Sequence, residues 1–163
     1  MMGLHHFFDN RLGGSLHGES QAGLTPFGEQ AVLNMQKKGI MIDVAHSSEA
    51  TVRDTLRVTA GDALIVSHTG FDGHCPSPRN ISDETVALIT EAGGLIGAGI
   101  WADVTFGEDT EAITSAIQYG VERFGVDHIA LESDWDGSVT TPIDASQLPH
   151  LTQALLDAGL TQT

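Results

Sequence analysis

Two stretches, Ile40-Met41-Ile42-Asp43-Val44-Ala45-His46 and Ala63-Leu64-Ile65-Val66-Ser67-His68, decide how this chain folds. Each is a short apolar run that stops at a histidine. The nearly continuous apolar character of Ile40 to Ala45 and of Ala63 to Ser67 suits strands covered on both faces, as in a parallel sheet with helices outside. Helical patterns alternate with them. Thr25 followed by Pro26 has the chemistry of an N-cap and first helical position, and Phe27, Ala31, Val32 and Met35 then recur at helical spacing until Gly39. Ser47 or Ser48 caps a second helix carrying Val52, Leu56 and Val58. After a polar loop containing Pro76 and Pro78, Ser82 caps a third, with Asp83 and Glu84 in its positive first turn and Gly93 just past its end. Gly94 to Ile100 reads as a third strand. Glu108 to Phe124 reads as a helix closed by Gly125, His128 to Leu131 as a fourth strand and Leu148 to Ala158 as a last helix.

Strict alternation with short connections implies the α/β class and a parallel sheet wound right-handedly. Four such units amount to half of a (β/α)8 TIM-type barrel, so residues 1–163 are read as a single partial barrel domain. The opening is polar and turn-like with no strand before it, and Thr161 resembles the N-cap of a helix that does not follow. An open four-stranded sheet would leave two edges and an apolar face bare. The expectation is therefore that a missing N-terminal half, or a second copy in a homo-dimer, covers them.

The chain carries 7 basic and 22 acidic residues, a formal charge of -15, within a sequence 40% hydrophobic and long enough for a real core. Such a balance repels a phosphate backbone and anionic lipid, so neither a nucleic acid nor a membrane surface is expected as partner. A small substrate is. The apolar runs are too short to span a bilayer, and no basic segment precedes one. The single cysteine, Cys75, excludes an internal disulfide and a cysteine-based zinc cluster; it reads as a loop thiol and fits a cytoplasmic location.

In parallel α/β proteins the active groups gather beyond the carboxyl ends of the strands. There stand His46, His68 and the run Glu132-Ser133-Asp134-Trp135-Asp136-Gly137. Two imidazoles on neighbouring strand ends and a carboxylate on a later one are what a metal hydrolase needs: nitrogen ligands for zinc, and an acid or base beside an activated water. Taken singly, a strand-end histidine is more often a hydrogen-bonded loop residue. His17, His74, His128 and His150 lack the strand-end position and read as surface or helix-flanking residues. Gly13, Gly14 and Gly18 serve turns, since no strand precedes them and dinucleotide spacing is absent.

The stretches Leu4-His5-His6-Phe7-Phe8-Asp9-Asn10, Gly23-Leu24-Thr25-Pro26-Phe27-Gly28, Ile42-Asp43-Val44-Ala45-His46-Ser47, Val66-Ser67-His68-Thr69, Cys75 to Asn80 and Ser133-Asp134-Trp135-Asp136-Gly137 together resemble the membrane (renal-type) dipeptidase family, in order and across nearly the whole chain. That family is a zinc-dependent barrel with a two-metal site that hydrolyses dipeptides. The resemblance implies that His46 and His68 hold the second zinc and that His6 contacts the substrate and its tetrahedral intermediate. It implies further that Arg79 grips the substrate carboxylate and that Asp134 stands beside the bridging water. A guanidinium fork suits a carboxylate, and a carboxylate beside an activated water can pass a proton to the departing amine. His5 competes with His6; His6 is preferred because it directly precedes Phe7-Phe8-Asp9-Asn10.

Two departures from the family stand out. Its first-strand His-x-Asp pair and its bridging glutamate have no counterpart in this sequence, so the chain corresponds to the C-terminal portion, with at most the second-zinc ligands present. Glu132 stands where the family keeps a glycine. It would crowd the site, substitute as a ligand, or lie exposed on the surface. Asp72, in the loop with Arg79, would orient the guanidinium or compete for it. Trp101, Trp135 and Phe106 would wall a small apolar pocket or simply pack. The leading expectation is a zinc dipeptidase, incomplete in this chain. The alternatives are an inactive remnant, or a barrel amidohydrolase acting on a non-peptide amide or lactone.

Overall fold

The structure, a computed structural model, describes residues 1–62 and 64–161; the expected start of the second strand at Ala63 lies outside the described residues. Five strands make one parallel sheet in sequential order: β1 (Met2–Gly3), β2 (Ile42–Asp43), β3 (Ile65–Thr69), β4 (Leu95–Gly99) and β5 (Ile129–Glu132). Sequential parallel order with a helix in each of the four crossovers is how strands follow one another around a (β/α)8 barrel.

The expected four strands are thus corrected to five. Met2 and Gly3 pair with Ile42 and Asp43, and Leu4 N–H donates to Asp43 O at 3.1 Å. Two residues carry no readable alternation, which is why this strand escapes a reading by periodicity. The strand expected over Ile40 to Ala45 shrinks to Ile42–Asp43 for a related reason. The buried Asp43 carboxylate accepts from both Ala45 N and Ser67 N at 3.0 Å, so a side chain takes over from the ladder and ties the end of β2 to the middle of β3.

Helices α1 (Pro26–Lys37), α2 (Glu49–Val58), α3 (Asp83–Glu91), α5 (Thr110–Phe124) and α6 (Leu148–Asp157) form the outer layer, and a one-turn helix, α4 (Ala102–Thr105), follows β4. Their starts follow local chemistry. Thr25, Ser48, Ser82 and Asp109 each accept through the side chain from the third residue onward: Gly28 N at 3.0 Å, Thr51 N at 3.1 Å, Thr85 N at 3.3 Å and Ala112 N at 2.8 Å. Of the two serines before α2, Ser48 is the cap. The core lies between sheet and helices, with Val32, Val86, Ile89, Ile96 and Ile113 all fully shielded from water.

Candidate metal and substrate site

β2 leads directly to His46, whose backbone is left-handed at φ 60°. A β-carbon residue pays for that conformation, and here it turns the imidazole into the mouth of the sheet. His68 lies inside β3, one residue after Ser67, whose main chain Asp43 holds. The two rings meet: His46 Nε2 and His68 Nε2 are 2.9 Å apart. Ser67 Oγ lies 2.8 Å from His68 Nδ1. In the tautomer in which Nδ1–H donates to that hydroxyl, Nε2 is left with its lone pair facing His46. His46 Nδ1 is shielded from water and has no partner.

Burial drives His46 down to about 3, helped by the Arg79 charge and then by His68, His6 and His17; burial, then Arg79, also lowers His68. Both imidazoles are therefore neutral near pH 7, the form that binds a metal. Two nitrogens on one tetrahedral zinc stand about 3.3 Å apart, so the pair is nearly at ligand spacing. It supplies only two donors. Among the described residues no group of three His, Cys, Asp or Glu comes together as a metal site.

His6 reaches the same mouth from the segment after β1, its ring centroid 4.8 Å from that of His46, while His5 turns away to place Nδ1 3.1 Å from Ser47 Oγ. Arg79 arrives from the loop between β3 and α3. Its Nη2 donates to His68 O at 2.8 Å and lies 3.5 Å from His46 Nε2, and the guanidinium stands 5.7 Å from the centre of the Trp101 ring. Nη1 is shielded and unpartnered. Burial lowers the Arg79 pKa, and Asp134, Glu132 and Asp43 oppose that, in this order. Asp134 follows β5 at φ 48°, in a turn closed by Gly137 N–H donating to its carbonyl at 2.8 Å. A β-carbon at Gly137 would come within 2.6 Å of the Asp134 carboxylate, so a side chain there would displace that carboxylate from its present position.

His6, His46, His68, Arg79 and Asp134 all line one cavity of about 760 Å³. Several expectations about its surroundings need correction. His17, read as a surface residue, lines the same cavity, its ring 5.7 Å from that of His46. Nothing in its local sequence signals this, because the loop that delivers it is organised by distant partners. His74, His128 and His150 do lie elsewhere: His74 packs against Tyr119, His128 Nδ1 is 2.9 Å from Gly94 O, and His150 is exposed on α6. Of the three aromatic residues expected as walls, Trp101 alone lines the cavity; Phe106 is 76% exposed, and Trp135 donates through Nε1 to Thr141 Oγ1 and Ile143 O. Asp72 neither orients nor competes for Arg79. Its carboxylate accepts from Ser77 N at 3.3 Å within the loop.

Glu132 is not a solvated surface residue. Its Oε1 accepts from Asp134 N at 3.0 Å, and its Oε2 is shielded without a partner. The side chain therefore curls over its own strand end and braces the turn that carries Asp134. Asp43, singled out above only as part of a motif, proves to be the staple that sets His46 and His68 side by side.

The comparisons with known proteins bear on the family and the fold. The family model for membrane dipeptidase (Peptidase family M19) matches residues 1–163. The chain is 33% identical over 146 residues to "Dipeptidase aclJ" of Aspergillus oryzae, covering 85% of this chain and 34% of that protein. Among solved structures, a metallo peptidase from Rhodobacter sphaeroides, liganded with a phosphinate mimic of the dipeptide L-Ala-D-Ala, superposes at a TM-score of 0.79 with 26% identity, over 91% of this chain and 44% of that one. An amidohydrolase from Pseudomonas aeruginosa superposes at a TM-score of 0.86 with 23% identity, over 98% of this chain and 57% of that one, a likeness of fold. The chain thus spans about a third of the curated relative and about half of the solved structures. With the family model matched from end to end and the mouth of the sheet built as described, the chain belongs to the membrane dipeptidase family, Peptidase family M19.

Proposed function

We propose that residues 1–163 are one partial barrel domain of a zinc-dependent dipeptidase, carrying the second-zinc ligands and the substrate-binding residues. The observation that carries this is the pair of facing nitrogens, His46 Nε2 and His68 Nε2 at 2.9 Å, in one cavity with Arg79 and Asp134. His46 and His68 hold the metal, their neutral state already set by burial. Zinc, when bound, supplies a Lewis acid and an activated water. Arg79 binds the free carboxylate of the dipeptide with the Nη1 that now lacks a partner. His6 donates to the oxygen that gains charge at the scissile carbonyl. Asp134 moves a proton from water to the departing amine. The remaining donors come from a complementary segment, since the described residues offer no third ligand at this point. A cytoplasmic setting, supported by the single cysteine, goes with this reading. No helix among the described residues is long and apolar enough to cross a membrane.

The same shortage of ligands favours a second reading, an inactive remnant that keeps the family's mouth without its chemistry. Assays on the zinc-loaded protein separate the two. The dipeptidase reading predicts hydrolysis of free dipeptides roughly 100-fold faster than of their C-terminal carboxamides, as loss of a charged hydrogen-bond pair implies. Equal turnover of esters or lactones lacking a carboxylate would sink it in favour of an amidohydrolase. No turnover under excess zinc, with or without a supplied N-terminal half, establishes the remnant.

A further inference from the structure

His17 stands in the cavity for reasons the proposed roles do not use. The loop that carries it, between β1 and α1, is held at many points. Asp9 accepts from Ser15 N at 2.9 Å and from Ser20 N at 3.0 Å; Gln21 Nε2 donates to Leu16 O at 3.1 Å and to Gly18 O at 2.8 Å. Leu16 N–H donates to His46 O at 2.7 Å, which fastens the residue before His17 to the metal-ligand segment itself. A loop bonded in this way presents its side chain in one place. The His17 ring stacks on Phe7, with centroids 4.9 Å apart and planes 24° from parallel.

His17 Nε2 is shielded from water and has no partner, and the same is true of Arg79 Nη1 in the same cavity. Buried polar groups are rarely left unsatisfied, so the presence of two at one site points to a ligand that answers them. Both residues flank His46: Arg79 Nη2 is 3.5 Å from its Nε2, and the His17 ring is 5.7 Å from its ring. The unpartnered imidazole nitrogen offers a single N–H donor at the cavity that Arg79 also lines. A monoanion with two oxygens fits one such donor beside a guanidinium. A polyanion does not, because Asp103, Asp134 and Asp136 line the same cavity.

We propose that His17 is a further substrate-binding residue, donating through its imidazole N–H to the C-terminal carboxylate of the dipeptide beside Arg79. This rests on the dipeptidase reading above. It deepens that reading by making carboxylate recognition bidentate between two residues of different loops, with Phe7 holding the ring flat.

The test is calorimetric binding of an uncleavable phosphinate dipeptide analogue and of its carboxamide-capped counterpart to the zinc-loaded full chain. His17→Phe keeps a stackable ring and removes the nitrogens; His17→Gln keeps an N–H donor. The expected result is about tenfold weaker binding of the free-carboxylate analogue to His17→Phe, a smaller loss with His17→Gln, and no loss for the capped analogue with either. Zinc content and unfolding midpoints should match the parent. Equal weakening of both analogues, or no weakening of either, overturns the assignment. If His17→Phe fails to fold, His17→Gln decides by the same contrast. An unmodified protein that binds zinc but neither analogue overturns the dipeptidase reading, and this proposal with it.

Discussion

Around the outside of the sheet, Thr25, Ser48, Ser82 and Asp109 each accept a hydrogen bond from the helix they precede, and Val32, Val86, Ile89 and Ile113 pack with no exposure. At the mouth the local rules fail. His46 and Asp134 adopt positive φ, and buried polar atoms of His17, His46, Arg79 and Glu132 have no partner. The helical layer is built for stability, and the mouth carries strain and unmet hydrogen-bonding capacity that the rest of the fold sustains. Substitutions in the two regions should therefore separate stability from binding.

The largest effect belongs to the helical layer. Ile89→Ala, in the fully buried face of α3, should cost about 2–5 kcal/mol in urea unfolding while leaving zinc affinity unchanged at conditions where the variant is folded. A loss of zinc affinity matching the loss of stability would break the separation.

The next effect belongs to the mouth and has the opposite sign. His46→Gly relieves the left-handed strain and removes a buried imidazole, so the metal-free protein should gain about 1–2 kcal/mol even as it loses zinc binding. The pH dependence sharpens this. With His46 held at about 3 in the fold, against an ordinary value of 6.5, the unfolded chain takes up a proton first as pH falls. Metal-free stability should thus be flat above pH 6.5 and decline from there toward pH 3. In His46→Gly the decline should be shallower, with a remainder from His5, His17 and His68, which are also lowered chiefly by burial. Unfolding curves across that range with equal slopes in parent and variant would contradict the assignment. The smallest expected effect is loss of a cap: Ser82→Ala should cost about 1 kcal/mol and leave metal binding alone.

The same division explains how much the sequence disclosed. Caps and apolar spacing are local, so α1, α2, α3, α5 and α6 could be read to within a residue or two. His46 and His68 were legible because each interrupts an apolar run at the end where parallel sheets carry their chemistry. β1 was not, since Met2–Gly3 is too short to show a period. The one-turn helix α4, Ala102–Thr105, was too short for the same reason. His17 is hidden from a sequence reading because its place depends on Asp9, Gln21 and the carbonyl of His46, none of which a local pattern reveals. The roles of Asp43 and Glu132 likewise depend on which amides their carboxylates meet.

Bound-zinc stoichiometry is the sharpest test of whether His46 and His68 act as a metal pair. Elemental analysis of the purified chain should find about one zinc per chain, and none in the double variant His46→Ala, His68→Ala. Absence of zinc from both proteins, or its retention in the double variant, would contradict the account.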